Sequence, residues 1–362
     1  MAKRIEKLQK FLIDRKLDAI LLKSKTMKKY LATMTGSGCQ ILLMRDTGYL
    51  ILDGRYLAEA KALEHDLEII LHEPHKTGRN YLGTVEELLK KHHCQSLGVE
   101  SSVMLIKEYE QVKELGVDLQ LLDKELDMLR IQKEEDEIAI MKEAIRITDE
   151  IYAKVLTHLH IGMSEYEISA LLQYYAIAAG ASQMSFDTIV GTGERSAMPH
   201  GRPTNRVIKA HEPILMDFGI QYQNYQSDMT RVVFIGKPEP EIAKIYNIVL
   251  EANLAGIATI KTGTPAYQVD QAARDVITRH GYGEYFSHGL GHGLGIGDGC
   301  EYPILNSTQD TILQEHMMMS CEPGIYLPNV GGIRIEDDVL IENGIGVPLN
   351  QTSKEMRILK EK

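Results

Sequence analysis

The sequence lacks an excess of positive charge and any long hydrophobic run. It has 40 lysines and arginines against 51 aspartates and glutamates, which gives a formal net charge of −11. A chain without basic excess is poorly suited to displace the counterions of a duplex, so duplex nucleic acid and anionic membrane surfaces are excluded as partners. No run of about 18 apolar residues is present, so no segment is expected to span a bilayer.

Cysteine is also scarce. The four cysteines, Cys39, Cys94, Cys300 and Cys321, are scattered and show no CxxC spacing. The N-terminal segment MAKRIEKLQKFLIDRK is charged throughout and has no apolar stretch like that of a signal peptide. Both features predict reduced thiols and a cytoplasmic protein.

The length of 362 residues fits two domains or one large domain. In the first third, short apolar runs alternate with helical patterns, and this predicts an α/β unit. The runs at 41–44 and 49–52 flank Arg45-Asp46-Thr47-Gly48, which predicts a hairpin and therefore mixed strand directions.

A highly charged stretch at 123–136 precedes a long helical pattern, so we place a domain boundary near Asp127. The predicted domains are residues 1–127 and 128–362. In the second, Ile138, Met141, Ile145 and Ile151 mark the buried face of a helix that reaches about residue 158. Ser164 is the predicted N-cap of the next helix. A helix pair followed by strands occurs twice in this domain, which predicts two similar halves. The domain is expected to have an α+β fold.

Five potential metal ligands lie in the second domain, each in its own short sequence motif. They are Asp217 in LMDFG, Asp228 in SDMTR, His292 in HGLGHGLG, Glu322 in CEPGIY and Glu336 in IRIEDD. Four carboxylates and one imidazole suit a pair of divalent first-row ions better than a single tetrahedral zinc. Taken alone, each residue has a commoner explanation, such as a solvated aspartate or a turn cap.

The spacing of the acidic residues predicts how the strands present them. Asp217 and Asp228 lie on either side of a turn, so the two side chains are predicted to face each other across an antiparallel pair. Glu336 is predicted in a strand over 332–342, on the same face as Arg334. Arg334 either orients Glu336 or forms a surface ion pair with it.

Three histidines are candidate functional residues. His288 and His292 lie in the glycine-rich segment FSHGLGHGLGIGDG, where glycines are predicted to let the backbone turn sharply. A phosphate loop is disfavoured there because no Walker lysine is present. His200, in SAMPHGRP, is predicted on a loop, where a surface histidine is the alternative.

These phrases resemble the ligand motifs of the pita-bread metallopeptidases, the family of methionine aminopeptidase, aminopeptidase P and prolidase. The resemblance covers about residues 129–350. The upstream segment GYLILDGRYLAEA resembles the creatinase-type N-terminal domain, which aminopeptidase P, prolidase and creatinase have. The resemblance implies a smaller α/β N-terminal domain and a catalytic domain with a curved antiparallel sheet and outer helices. It also implies a homodimer.

The resemblance also implies roles for the candidate residues. Asp217 would bind one metal ion, and Asp228 and Glu336 would bridge both ions. His292 and Glu322 would complete the other side, with Glu322 also accepting and returning a proton. The catalytic and substrate-binding residues implied are Glu322, His288, His200 and Arg334.

The implied activity is hydrolysis of the bond between an N-terminal residue and proline, as a dipeptidase (prolidase) or as aminopeptidase P. The partners would be small proline-containing peptides. Two divalent ions are implied, with manganese first and cobalt, zinc or iron as alternatives. Two other functions stay open: a non-catalytic binding protein, and a metal-independent hydrolase of another C–N bond, as in creatinase.

One position departs from the family pattern. The family commonly has a histidine seven residues after the ligand histidine, in a V-H-E or V-H-D phrase. That position is Gly299 here, followed by Cys300. The departure bears on rate and substrate range more than on metal binding.

Overall fold

The computed structural model describes residues 2–31, 36–63, 65–78, 80–297 and 299–361. The chain divides into two compact units, Met1–Asp127 and Met128–Lys362. Each unit contains a buried hydrophobic core of its own. In the described ranges, none of the helices has the combination of length and apolar character that crossing a membrane requires.

The first unit is built on a mixed six-stranded sheet. Its strands are β1 (Ala19–Leu22), β2 (Cys39–Met44), β3 (Gly48–Leu52), β4 (Glu68–Leu71), β5 (Ser96–Val99) and β6 (Asp118–Leu121), in the order β4-β3-β2-β1-β5-β6. Its helices are α1 (Ala2–Asp14), α2 (Lys25–Tyr30), α3 (Leu57–Ala62), α4 (Pro74–Thr77), α5 (Tyr81–Lys91), α6 (Ile106–Lys113) and α7 (Asp123–Leu129), which contains the division.

The predicted hairpin and mixed strand directions are confirmed in this sheet. β2 and β3 run antiparallel, with Leu43 paired to Gly48 next to the turn. β1 pairs antiparallel with β2 and parallel with β5. One core of the unit joins side chains of these strands to Val85 and Leu88 of α5. The first unit is therefore the α/β structure that the alternating pattern predicts.

The second unit contains four long helices and fourteen short strands among its described residues. The helices are α8 (Glu135–Leu156), α9 (Glu165–Ala178), α10 (Pro240–Thr259) and α11 (Ala266–Arg279). The first strands are β7 (Gln183–Met184), β8 (Ile189–Thr192), β9 (Ile214–Phe218), β10 (Ile220–Tyr222), β11 (Tyr225–Gln226) and β12 (Met229–Ile235). The later strands are β13 (Gly291–Gly293), β14 (Glu301–Leu305), β15 (Met318–Cys321), β16 (Gly324–Leu327), β17 (Gly331–Arg334), β18 (Asp337–Glu342), β19 (Ile345–Pro348) and β20 (Arg357–Leu359).

The helices of the second unit begin and pack where the sequence predicts. The four residues Ile138, Met141, Ile145 and Ile151 of α8 are all buried. Ser164 caps α9: its hydroxyl accepts from the backbone N–H of Glu167, whose carboxylate accepts from the Ser164 N–H. This reciprocal capping box satisfies two amides that the helix itself leaves unpaired. The predicted α+β class is confirmed.

The strands form four hydrogen-bonded sheets, ordered β11-β10-β7, β20-β12-β9-β8, β14-β13-β15-β18-β19 and β16-β17. Successive side chains of β9 enter two different cores. Met216 and Phe218 pack with residues of α8 and α9, whereas Leu215 packs with residues of α10 and α11. Because side chains alternate along a strand, Asp217 shares the face of Leu215.

The prediction of one continuous strand over 332–342 is wrong. β17 ends at Arg334 and β18 begins at Asp337. β17 pairs with β16, whereas β18 pairs with β15 and β19 in another sheet. Glu336 therefore lies in a break between two sheets, where its side chain is free of the strict alternation of a strand.

Candidate active site

Three buried carboxylates from separate parts of the second unit converge on one point. Asp217 lies in β9, Asp228 directly precedes β12, and Glu336 lies between β17 and β18. One carboxylate oxygen of each lies within 4.8 Å of the others. Acidic groups held this close and out of water repel one another, so a cation in their midst would be strongly favoured.

β9 and β12 run antiparallel as predicted, but the two aspartates do not stand directly opposite each other. Thr230 pairs with Asp217, and Met229 pairs with Phe218. Asp228 therefore lies two positions along the strand from the partner of Asp217, as a diagonal neighbour on the same face. The backbones at such a diagonal are roughly 7–8 Å apart, so the two carboxylates reach towards a shared point.

Each of the three carboxylates keeps one buried oxygen without a hydrogen-bond partner in the described part of the chain. These atoms are Asp217 Oδ1, Asp228 Oδ1 and Glu336 Oε1. A buried charged oxygen without a partner is costly. Divalent first-row ions bind oxygen donors of this kind. The donor set and its unpartnered oxygens therefore fit divalent metal ions.

His292 and Glu322 lie beside this cluster. The His292 Nδ1–H donates to the carbonyl of Gly293 at 3.0 Å, so whenever the ring is neutral, Nε2 carries no proton and its lone pair can bind a metal ion. Nε2 lies 3.7 Å from Asp228 Oδ2 and 3.7 Å from Glu322 Oε1. These separations exceed hydrogen-bond distance. They are compatible with two ligands that one ion would hold at about 2.0–2.2 Å each.

Gly291 and Gly293, on either side of His292, are needed because neighbouring backbone leaves no room for a side chain. They do not form a sharp turn. A Cβ atom at Gly291 would lie 2.2 Å from the Ser320 carbonyl oxygen, and one at Gly293 would lie 2.1 Å from that of Tyr302. Both glycines belong to β13, which lies between β14 and β15. The prediction of a sharp turn at these glycines is therefore wrong, and His292 is held on a strand.

Burial and mutual repulsion dominate the electrostatics of the acidic residues. Burial, followed by the charges of Glu336 and Asp217, raises the pKa of Asp228 well above its ordinary value. Burial likewise raises the pKa of Glu336 well above its ordinary value, with Glu322 the next cause. The pKa values of Asp217 and Glu322 are also raised, mainly by burial.

The charge of His292 is set by its neighbours. Burial acts to lower its pKa, but a hydrogen bond with Cys300 and the charge of Glu322 outweigh burial and raise the pKa to about 10. The same bond lowers the pKa of the Cys300 thiol. The imidazole of His292 is thus the cationic partner of the cluster in the absence of a metal ion.

Arg334 is the second cation of the cluster, and it is bound to Asp217. Its Nη2 donates to Asp217 Oδ2 and its Nε donates to the Thr230 hydroxyl at 3.0 Å. That hydroxyl donates in turn to Glu336 Oε2 at 2.5 Å. Arg334 therefore holds one candidate ligand directly and a second through Thr230. Its side chain is only 3% exposed, so the alternative of a surface Arg–Glu pair is wrong.

His288 is held as a neutral ring with both nitrogens engaged. Its Nδ1–H donates to the Gly289 carbonyl at 2.7 Å, and its Nε2 accepts from the Tyr326 hydroxyl at 2.8 Å. The Tyr326 oxygen accepts from Arg334 Nη1 at 2.9 Å, which leaves its proton for the histidine. Burial and the charge of Arg334 lower the His288 pKa to about 4. A bond from His288 to another molecule requires the Tyr326 bond to open.

All eight predicted site residues line one cavity of about 520 Å³. They are His200, Asp217, Asp228, His288, His292, Glu322, Arg334 and Glu336. His200 is exposed on its loop, whereas His288 is held by Tyr326. Gly299 and Cys300 line the same cavity, together with the apolar side chains of Phe186, Ile189 and Ile304.

Four residues of the site were not among the predicted ones. Thr230 and Ser320 lie two positions from Asp228 and Glu322, respectively, and period-2 alternation along a strand could have found both. The Ser320 hydroxyl donates to Glu322 Oε1 at 3.2 Å and accepts from the His292 N–H at 3.0 Å. Tyr326 gave no such signal, because its position depends on how distant strands meet. Cys300 gave none, because it lies outside a strand, in the segment between β13 and β14.

Comparisons with known proteins cover both units. A family model described as metallopeptidase family M24 matches residues 139–343. A second model, described as the creatinase/prolidase N-terminal domain, matches residues 4–132.

The chain is also similar over its full length to named proteins. It is 33% identical over 365 residues to a Xaa-Pro dipeptidase of Pyrococcus furiosus, with 98% of this chain and 100% of that protein covered. The structure of a Xaa-Pro dipeptidase from Bacillus anthracis superposes with a TM-score of 0.93 at 35% identity, covering 99% of each chain. The structure of an X-Pro aminopeptidase from Thermotoga maritima superposes with a TM-score of 0.88 at 32% identity, covering 95% of this chain and 98% of that one.

Proposed function

Because this chain belongs to metallopeptidase family M24 and has the family's pita-bread and creatinase-type domains, we propose that it is a Xaa-Pro dipeptidase. It would hydrolyse the bond between an N-terminal residue and a C-terminal proline. The observation that carries the proposal is the convergence of Asp217, Asp228 and Glu336, each with a buried oxygen lacking a partner in the described chain. Residues 1–127 would form the N-terminal domain and residues 128–362 the catalytic domain.

We propose two metal ions, with manganese as the first candidate. Asp217 would hold one ion, Asp228 and Glu336 would hold both, and His292 and Glu322 would complete the second. When bound, two such ions act as Lewis acids and provide a nucleophile from water near neutral pH. Arg334 would keep Asp217 and, through Thr230, Glu336 in place.

The remaining chemistry is assigned to side chains of the cavity. Glu322 would accept the proton of the attacking water and return it to the proline nitrogen as the peptide bond breaks, since burial raises its pKa towards the working pH. His200, exposed on its loop, would donate to the oxyanion. His288 would contact the substrate only in exchange for its bond to Tyr326.

Proline imposes its own demand on recognition. The amide before proline has no N–H, so the scissile bond offers no donor and recognition must rely on the shape of the ring. Phe186, Ile189 and Ile304 provide apolar surface in the lining. The cavity volume of about 520 Å³ lies in the range usual for small-molecule sites. The homodimer implied by the resemblance and the cytoplasmic location predicted from the cysteines and the N-terminal segment stay predictions.

The proposal is tested with metal-loaded protein and matched peptides. We expect kcat/KM for a Xaa-Pro dipeptide to exceed that for the Xaa-Ala dipeptide with the same first residue by at least about tenfold, because the ring fills an apolar pocket. Cleavage of a Xaa-Pro tripeptide at a comparable rate would indicate an aminopeptidase P instead. Protein that binds metal and leaves every Xaa-Pro peptide intact would contradict the proposal.

A further inference from the structure

An exposed ion pair lies at the cavity, apart from the candidate metal ligands. Arg202 Nη2 lies 2.7 Å from Asp187 Oδ2, and the two side chains are 80% and 77% exposed. Both residues line the cavity, as does His200, two positions before Arg202. An exposed pair of this kind contributes little to stability. The guanidinium can therefore exchange Asp187 for another carboxylate at small cost.

The backbone that carries Arg202 is firmly anchored, although its side chain is exposed. Arg195 donates to the Arg202 carbonyl oxygen at 2.6 Å through Nη2 and to Glu165 Oε2 at 3.1 Å through Nε. The same carboxylate accepts from the Thr204 N–H at 2.9 Å. Glu165 itself is fully buried. The backbone is thus fixed at Arg202 and at Thr204, so binding through Arg202 orders a side chain and not the loop that carries it.

The charge balance of the cavity gives this guanidinium a role. Four candidate ligands in the lining are carboxylates, and two divalent ions would balance their charge, so a substrate carboxylate that lies away from the ions needs a cation of the lining to receive it. The described lining includes two arginines. Arg334 is buried and donates to Asp217, Thr230 and Tyr326. Among the described residues, the Arg202 side chain pairs with one exposed aspartate alone, so other N–H groups of its guanidinium are available to a substrate.

We propose that Arg202 binds the free α-carboxylate of the substrate in place of Asp187, and so makes the cavity select dipeptides. The inference rests on the proposed function and names the residue that sets its peptide length. A guanidinium binds a carboxylate through two parallel hydrogen bonds, which fixes both the position and the direction of the group. Each residue added after proline moves the terminal carboxylate by roughly 3.5 Å, away from the position at which the guanidinium would hold the dipeptide.

The experiment compares three substrates with the same first residue: the Xaa-Pro dipeptide, its C-terminal amide and the Xaa-Pro-Ala tripeptide. In Arg202→Gln, the ratio of kcat/KM for the dipeptide to that for the amide is expected to fall at least about tenfold, chiefly through the KM of the dipeptide. Arg202→Lys should keep part of the discrimination. Asp187→Asn should lower the KM of the dipeptide, because it removes the competing carboxylate. Lys209→Gln, which removes an exposed charge outside the described lining, should leave the ratio unchanged.

Two results would overturn the inference while the proposed function stands. One is an equal loss on dipeptide and amide in Arg202→Gln, which would assign Arg202 to the loop and not to the carboxylate. The other is a higher dipeptide KM in Asp187→Asn, which would make Asp187 the substrate-binding partner. Failure of the wild-type protein to cleave any of the three peptides would overturn the proposed function, and the inference with it.

Discussion

Replacing Asp228 by asparagine is expected to lower kcat/KM for a Xaa-Pro dipeptide by more than about 100-fold while the protein stays folded. Asp228 is one of the three converging carboxylates and lies 3.7 Å from His292 Nε2. Mutating a group that merely orients a metal ligand already costs roughly 10- to 100-fold, so the loss of a ligand that we propose to be shared by both ions should cost more. Steady-state kinetics and the metal content of the purified variant measure the effect.

Two matched substitutions separate the loss of a ligand from a general effect of losing charge. Asp338 accepts from the Asp228 N–H at 2.9 Å and is also buried, so Asp338→Asn keeps an acceptor there and should cost less. Asp275→Asn, on the exposed face of α11, should change nothing. If Asp228→Asn keeps more than a tenth of the wild-type activity, Asp228 is not a shared ligand.

The metal-free protein is expected to become less stable than its own Asp228→Asn variant as the pH rises. The folded state raises the pKa of Asp228, so it holds the proton more tightly than the unfolded chain does. Stability is then lost as the pH rises from about 4 towards the folded pKa. Each unit of pH in this window lowers the free energy of unfolding by up to about 1.4 kcal/mol. A neutral asparagine does not titrate, so the variant does not lose this stability. We therefore expect the variant to melt a few degrees higher at pH 7.5, and close to the wild type at pH 4.

Adding metal should reverse this order. Metal ions need deprotonated carboxylates, so they bind more tightly at higher pH, and saturation at about 100 times Kd stabilises the folded state by about 2.7 kcal/mol. Wild-type protein should therefore gain more in melting temperature from Mn²⁺ at pH 7.5 than at pH 5, and the variant should gain little at either. A metal-free wild type as stable as the variant across this pH range would show that the acidic cluster carries no strain.

The sequence was sufficient to predict the elements that bring the ligands together. The buried face of α8, the cap at Ser164 and the antiparallel pairing of β9 with β12 follow from local periodicity and turn residues. The joint occurrence of five phrases predicted which residues share a cavity, although no single phrase did. The helix face, the cap and the strand pairing were predictable because each depends on residues close together in the chain.

Other features depend on how distant strands meet, and local pattern could not predict them. Glu336 lies in a break between two sheets, whereas alternation predicted an unbroken strand. Both nitrogens of His288 are engaged because Tyr326, far along the chain, receives a bond from Arg334. Arg334 was predicted on the same strand face as Glu336. In the structure it donates directly to Asp217 and reaches Glu336 only through the Thr230 hydroxyl.

The most direct test of the account is to chelate the metal-loaded protein and add Mn²⁺ back while following hydrolysis of a Xaa-Pro dipeptide and counting bound ions. The account predicts that chelation abolishes hydrolysis and that activity returns as up to two ions bind per chain. Hydrolysis that survives complete removal of metal would contradict it and would assign the reaction to protein side chains alone.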